Sequence, residues 1–142
     1  MILGAALLYG IGLVAVTVYP LAALRGRGTD PGMNLIPLLS LSCLWPSAGD
    51  PPEIRVFCVE NIAGNIALFV PVGVLGALLY RVQSFRRIAV YAAALSVAIE
   101  AAQFAEQSIG VHRAVDVDDV LFNTVGACLG FGLVMAFRRS KR

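Results

Sequence analysis

Residues 88–105, which read IAVYAAALSVAIEAAQFA, decide the fold of this chain. Helical residues rise 1.5 Å each, so this run covers about 27 Å, close to the roughly 30 Å hydrocarbon core of a bilayer. Its strongly polar side chains are those of Glu100 and Gln103. The run therefore predicts a membrane-spanning helix with a polar face.

The composition of the whole chain indicates the same class of protein. Hydrophobic residues make up 58% of the 142 residues and charged residues 14%, and the mean hydropathy is +0.80. So much apolar surface cannot be hidden in a small water-facing globule, because small domains bury only about 60–70% of the surface of the extended chain. This argues against a soluble enzyme and against a disordered chain. The net charge of +2 argues against a nucleic-acid binder, and three cysteines are too few for a disulfide framework.

Three further apolar runs predict the remaining spans, at about residues 1–24, 62–80 and 120–137. The first run carries no charge and no basic n-region, which favours a retained helix over a cleaved signal peptide. We therefore predict an all-α, polytopic membrane protein with four transmembrane helices in a single domain, residues 1–142.

Basic residues decide the predicted orientation. Seven of them lie between the second and third spans or after the fourth, and the other four lie in the remaining loops. The positive-inside rule places the richer side in the cytoplasm, so both termini are predicted there, with residues 25–60 and 106–118 outside. The seven residues are Arg81, Arg86, Arg87, Arg138, Arg139, Lys141 and Arg142.

The outer loop between the first two spans contains an apolar segment, residues 34–45, that is too short to cross a bilayer. A run of roughly 10–14 apolar residues is more often re-entrant or interfacial, and Trp45 suits the headgroup level. Residues 46–60 are polar and proline-rich, which predicts a loop. Cys43 and Cys58 both fall on the outer side, where oxidation can join them, so a bridge and two unrelated thiols both stay open.

Polar side chains occur in pairs, three or four positions apart, on three of the predicted spans. Such spacing puts both members of a pair on one face of a helix. In the predicted topology all three pairs lie in the outer third of the bilayer, a shared depth that indicates a common polar cavity open to the outside. The pairs are Asn61 with Asn65, Glu100 with Gln103, and Asp119 with Asn123.

Structural roles compete with this interpretation. Asn65 and Asn123 can act as interhelical hydrogen-bonding groups, and Asp116 and Asp118 can be N-terminal carboxylates stabilised by the helix dipole. Glu100 differs, because an ionisable group inside a span is a functional candidate by default.

Two kinds of chemistry are open to these acidic residues. Glu100 is expected to pair with Arg113, to bind a cation or to be protonated. It is also a candidate general base, and Asp119 is a second catalytic candidate. Asp116, Asp118 and Asp119 offer the oxygen ligands that hard divalent cations prefer, so a cation site is possible.

Glycines on two spans predict close helix packing. Gly126 and Gly130 form a small-xxx-small pattern, which serves packing within the chain or association into an oligomer. On the second span Gly64, Gly73 and Gly76 are expected to allow the same close approach.

Four segments, in this order and spacing, resemble the VanZ-like family over nearly the whole chain. The resemblance implies a small bacterial integral protein of the cytoplasmic membrane, in a family named after a member linked to low-level resistance to teicoplanin, a lipid-bearing glycopeptide. The segments are NLIP at 34–37, NIAGNIALFVPVG at 61–73, SVAIEAAQ at 96–103 and RAVDVDDVLFNTVG at 113–126.

The same resemblance carries over ten polar residues as one site. Arg113 is the natural partner for a phosphate or carboxylate in this set. The ten are Asn34, Asn61, Asn65, Glu100, Gln103, Arg113, Asp116, Asp118, Asp119 and Asn123.

Three functions remain open. The first is an envelope protein whose cavity binds an amphiphile, such as a lipidated glycopeptide antibiotic or a lipid-linked wall precursor, beside membrane lipid. The second is an intramembrane enzyme acting on such a lipid-linked substrate through its carboxylates and a divalent cation. The third is a transporter subunit, although four helices without a repeat argue against an autonomous alternating-access machine.

Overall fold

The computed structural model describes residues 2–17, 33–45, 51–80, 82–107 and 115–141. The described chain is mostly helical, with four α-helices, one 3₁₀ helix and one pair of two-residue strands. In chain order the elements are α1 (Ile2–Thr17), β1 (Met33–Asn34), the 3₁₀ helix (Leu39–Leu44), α2 (Pro52–Leu78), α3 (Phe85–Gln107), β2 (Val115–Asp116) and α4 (Val117–Ser140).

Three of the helices, α2, α3 and α4, are long and apolar enough to cross a membrane. The described part of α1 is also apolar but has 16 residues, fewer than a span needs. A fourth span over residues 1–24 therefore stays a prediction. The re-entrant or interfacial segment in the loop between the first two predicted spans also stays a prediction.

The second span begins ten residues earlier than predicted. α2 starts at Pro52, so the predicted loop over residues 46–60 is wrong from that residue onward. Proline is favoured in the first helical turn, where its missing N–H would have had no partner, and Glu53 in the same turn complements the helix dipole. Helices α3 and α4 also extend two or three residues beyond each predicted limit. Their limits were predicted from hydropathy, which marks only the part of a helix that faces hydrocarbon.

Helices α2 and α4 pack with their backbones in contact. A Cβ atom on Gly126 would overlap the carbonyl oxygen of Ile66, and one on Gly130 would overlap that of Val70. Gly126 and Gly130 therefore serve packing within the chain, and an oligomer through them stays a prediction without support here.

The glycines of α2 divide into two kinds. Gly73 faces the Ala127 carbonyl of α4, and a Cβ atom on Gly76 would lie 2.6 Å from the Cδ1 of Ile88 on α3. Gly64 has open space around it, so its predicted role in close packing is wrong.

The buried core lies where α2, α3 and α4 meet. Phe69, Ile88, Ala92 and Phe131 are almost fully buried there. The rings of Phe85 and Phe131 pack in a T-shaped arrangement with their centroids 4.8 Å apart. This core holds the three long helices in fixed register. The polar residues described below lie together toward the other end of the bundle.

The segment from Met33 to Trp45 crosses the end of this bundle. It begins with β1, which pairs in parallel with β2, so that Asn34 lies beside Asp116. An all-α prediction missed this short pair, because two residues leave no period in the sequence. Cys43 at the far end of the segment is disulfide-bonded to Cys58 of α2. The open question of the two thiols is thus resolved as a bridge.

We expect Cys43→Ser to lower the free energy of unfolding by about 3 kcal/mol, because the bridge closes a loop of 15 residues. Chemical unfolding of the detergent-solubilised protein measures this, and reductant should give wild type the same loss. Cys128→Ser is the matched control, since Cys128 is a free thiol in α4. An equal loss in Cys128→Ser would contradict a specific role for the bridge.

Candidate functional site

The carboxylate of Asp118 anchors the 33–45 segment to the start of α4. Its side chain has no exposed surface. It accepts hydrogen bonds from the backbone N–H of Leu38, from the backbone N–H of Ser40 at 2.8 Å, and from Nδ2 of Asn34 at 3.4 Å. A buried carboxylate is costly unless it is hydrogen-bonded, and here backbone donors of the segment meet that need.

Asp116 caps α4 and binds the same segment. Its Oδ1 accepts from the backbone N–H of Asp118 at 2.8 Å, which is an N-cap bond. The same oxygen accepts from Nδ2 of Asn34 at 2.7 Å, and Oδ2 accepts from the hydroxyl of Ser40 at 2.7 Å. The helix-start interpretation of Asp116 is therefore correct, and the residue also belongs to the polar group.

The backbone of the 33–45 segment is shaped for these contacts. Leu38 has a φ of 66°, the left-handed region that costs a non-glycine residue about 1 kcal/mol or more. That conformation accompanies the donation of the Leu38 N–H to Asp118. Earlier in the turn, Oδ1 of Asn34 accepts from the N–H of Ile36 at 3.0 Å, as in an Asx-turn.

Asp119 follows Asp118 in α4 but faces α2 rather than the 33–45 segment. Its Oδ1 accepts from Nδ2 of Asn65 at 2.6 Å and from Nδ2 of Asn61 at 3.4 Å. The predicted pairing of the two asparagines on one helix face thus corresponds to a shared partner.

Glu100 joins α3 to the same region. Its side chain is buried, with 8% of its surface exposed. Oε2 accepts from the backbone N–H of Asp116 at 3.3 Å. Carboxylates from α3 and α4 and amides from α2 therefore lie within one group. We call it the outer polar cluster, after the side of the membrane predicted for it: Asn34, Ser40, Asn61, Asn65, Glu100, Asp116, Asp118 and Asp119.

The residues of the outer polar cluster do not meet in the predicted way, through similar distances from the outer ends of their helices. Asn61 is nine residues after Pro52, about 13.5 Å along α2, so it is not near the end of its helix. Asp119 is only two residues after the start of α4. The two meet because the first turns of α2 project beyond α4, and these turns carry Cys58, to which the 33–45 segment is bonded.

Two predicted members of the site lie elsewhere. Nδ2 of Asn123 donates to the hydroxyl of Ser96 at 2.8 Å, a buried bond between α4 and α3, which fits the interhelical alternative. Nε2 of Gln103 donates to the carbonyl of Thr17 at 2.8 Å and ties α3 to α1. Arg113 lies outside the described residues, so its predicted role as a headgroup partner stays a prediction.

A hollow of about 240 Å³ opens beside the cluster, between the 33–45 segment and α2. Polar groups and apolar side chains share its wall, and the disulfide forms part of it. The lining residues are Ser40, Cys43, Ile54, Phe57, Cys58, Asn61, Ile62 and Asp116.

The geometry does not favour a divalent-cation site. Within the described ranges, no three His, Cys, Asp or Glu side chains form a group that could hold a metal ion. Asp116 and Asp118 direct oxygens to donors of the 33–45 segment, whereas Asp119 directs Oδ1 to α2. The candidate ligand set of three aspartates is therefore split between two neighbours.

Sequence reasoning missed Ser40 and the backbone donor of Leu38. Ser40 contributes both its N–H and its hydroxyl to the cluster. A serine in an apolar run has no spacing partner that would mark it. The one available signal was Asn34 followed by a turn, which indicates local side-chain to backbone bonding.

Comparison with known families supports the resemblance found in the sequence. The model of one family, described as VanZ/LLP1, matches residues 6–138, nearly the whole chain. Searches among curated proteins and among solved structures find no match.

Proposed function

The chain belongs to the VanZ-like family, and from that premise we propose that it is a cell-envelope protein whose outer polar cluster binds the headgroup of an amphiphile. The ligand classes are a lipidated glycopeptide antibiotic and a lipid-linked wall precursor. In the proposed orientation both termini are cytoplasmic and the cluster faces outward in the bacterial cytoplasmic membrane.

One observation carries this proposal, which is that polar side chains from three long apolar helices converge at one end of the bundle. Asn65 reaches Asp119 at 2.6 Å, and Glu100 reaches the backbone of Asp116 at 3.3 Å. Polar groups inside membrane helices are costly, so their concentration at one level favours a functional site over scattered interhelical bonds.

The hollow beside the cluster supports an amphiphilic ligand. Asn61, Ser40 and Asp116 can bond to sugar, amide or amine groups, while Phe57 and Ile54 offer apolar contact. Phe57 has 71% of its surface exposed, so it is available to a hydrocarbon tail. A ligand with a polar head and an apolar tail satisfies both halves of this wall.

We expect the lipid-bearing teicoplanin to bind the purified protein in nanodiscs and vancomycin, without that tail, to bind at least about tenfold more weakly, since each buried CH₂ is worth about 0.8 kcal/mol. Asn61→Ala should weaken teicoplanin binding about fivefold, the value of one hydrogen bond. Titration by thermophoresis measures both affinities. Survival of a susceptible host on the two drugs, with membrane levels matched by blot, is the cellular readout.

Gln83→Ala is the matched control, because it removes an exposed amide at the opposite end of the bundle. It should bind teicoplanin as wild type does. Equal affinity for the two drugs would contradict use of the tail. Absence of saturable binding both to teicoplanin and to a lipid-linked wall precursor would contradict the proposal as a whole.

The enzyme and transporter alternatives predict different results. An enzyme acting through Asp119 should lose turnover in Asp119→Asn yet keep ligand affinity, as product analysis of a lipid-linked substrate would show. A transporter subunit should move solute across sealed vesicles. A binding protein should lose affinity chiefly with Arg113→Ala, the predicted headgroup partner.

A further inference from the structure

The end of the bundle opposite the outer polar cluster carries positive charge without acidic neighbours in sequence. No Asp or Glu occurs in residues 61–99 or in residues 120–142, the stretches that include this end. The first turn of α3 likewise contains no acidic residue. Its described basic residues are Arg86, Arg87, Arg138, Arg139 and Lys141.

A groove of about 500 Å³ runs between α2 and α3 at this end. Tyr80, Arg87 and Tyr91 line it near the basic end. Arg87 and Tyr91 also line an adjoining hollow of about 350 Å³, together with Ser84 and Arg86. The remaining wall of the groove is made by Val72, Gly76, Val82, Ile88 and Leu95.

The combination of an apolar groove with basic side chains at one end suits an amphiphile of negative charge. The groove lies on the membrane-spanning parts of α2 and α3, where acyl chains are the surrounding solvent. The basic side chains are two arginines, which form paired hydrogen bonds with phosphate, and the tyrosines beside them are of a type enriched at headgroup level. Basic hollows between membrane helices are known sites for anionic headgroups.

We propose that the α2–α3 groove binds one anionic phospholipid, with an acyl chain in the groove and its phosphate on Arg86 and Arg87. The N–H groups at the start of α3 add to the attraction for a phosphate. This site is separate from the outer polar cluster and does not depend on what that cluster binds. In the proposed orientation it faces the cytoplasmic leaflet, whose anionic lipids attract basic residues.

Native mass spectrometry of the full chain, released from detergent that contains equimolar phosphatidylglycerol and phosphatidylcholine, tests the proposal. Wild type should retain one phosphatidylglycerol in preference to phosphatidylcholine. Arg87→Gln should weaken that retention about fivefold, because each basic residue near a membrane surface contributes about this factor. Leu95→Trp should lower the retention of both lipids, since it fills the groove.

Two matched controls separate a site from general charge. Arg139→Gln removes the same charge from the same end, but Arg139 lines a different hollow. Leu129→Trp places the same bulk on an exposed position of α4, away from the groove. Both variants should retain phosphatidylglycerol as wild type does, and elution of each variant at the wild-type volume verifies its fold.

Three results would overturn the proposal. One is equal retention of the two lipids, or retention of neither, by wild type. Another is the same loss in Arg139→Gln as in Arg87→Gln, a comparison that still decides the matter if Leu95→Trp does not fold. The third is release of the lipid by millimolar glycerol 3-phosphate, which would assign the arginines to a free phosphate.

Discussion

Asp118→Asn is expected to destabilise the protein by about 3 kcal/mol. The carboxylate is fully buried and accepts hydrogen bonds from the N–H groups of Leu38 and Ser40. An asparagine keeps one acceptor oxygen and turns an NH₂ group toward the remaining donors, so at least one charge-assisted bond is lost and one donor faces another. Bonds to charged groups contribute roughly 1.5–3 kcal/mol each.

Chemical unfolding in detergent gives the free energy, and hydrogen exchange gives the local effect, which should appear first at Leu38 and Ser40. Asp119→Asn is the matched control, because the same change one residue later keeps an oxygen for the amides of Asn61 and Asn65. It should cost less than about 1 kcal/mol. Equal losses in the two variants would show that Asp118 does not anchor the segment.

Gly130→Ala is expected to separate α2 from α4. The new methyl group would overlap the carbonyl oxygen of Val70, which is backbone and cannot move aside by changing a rotamer. Over-packing a core commonly costs about 1–3 kcal/mol and more where the backbone must shift, so we expect a loss of at least about 3 kcal/mol. Thermal unfolding and the monodisperse fraction in size-exclusion chromatography measure the effect.

Gly132→Ala is the control within the same helix. Its Cβ atom would lie 3.6 Å from the Phe85 ring, an ordinary contact. Alanine is the better helix former by up to about 1 kcal/mol, so stability should stay the same or rise slightly. A loss as large as that of Gly130→Ala would mean that helix α4 tolerates no substitution of glycine, rather than that its contact with α2 is decisive.

Spacing along one helix was a reliable guide for the two asparagines of α2. Asn61 and Asn65 were placed on one face by their separation of four residues, and both amides reach Asp119. The same rule was less useful for Glu100 and Gln103. Their separation of three also predicts a shared stripe, yet Glu100 reaches Asp116 whereas Gln103 reaches the carbonyl of Thr17.

Partners on other elements caused these differences, because spacing describes one helix and not its neighbours. Asn123 has the periodicity of the polar face of α4 but lies opposite Ser96 of α3 and bonds to it. The start of α2 was misplaced for a related reason. Residues 52–60 are polar enough to read as a loop, and their helix is secured by the disulfide to the 33–45 segment.

The sequence by itself determined that this is a helical membrane protein. An apolar run of bilayer length forms a helix because each backbone N–H and C=O group inside the membrane needs a hydrogen-bond partner within the protein. The sequence also determined the family, because four motifs stand in register along the chain. Only the tertiary structure decided how the 33–45 segment is held, through backbone N–H groups that every residue except proline possesses and that no sequence pattern distinguishes. It likewise decided which polar residues meet, since that depends on the register in which α2, α3 and α4 pack.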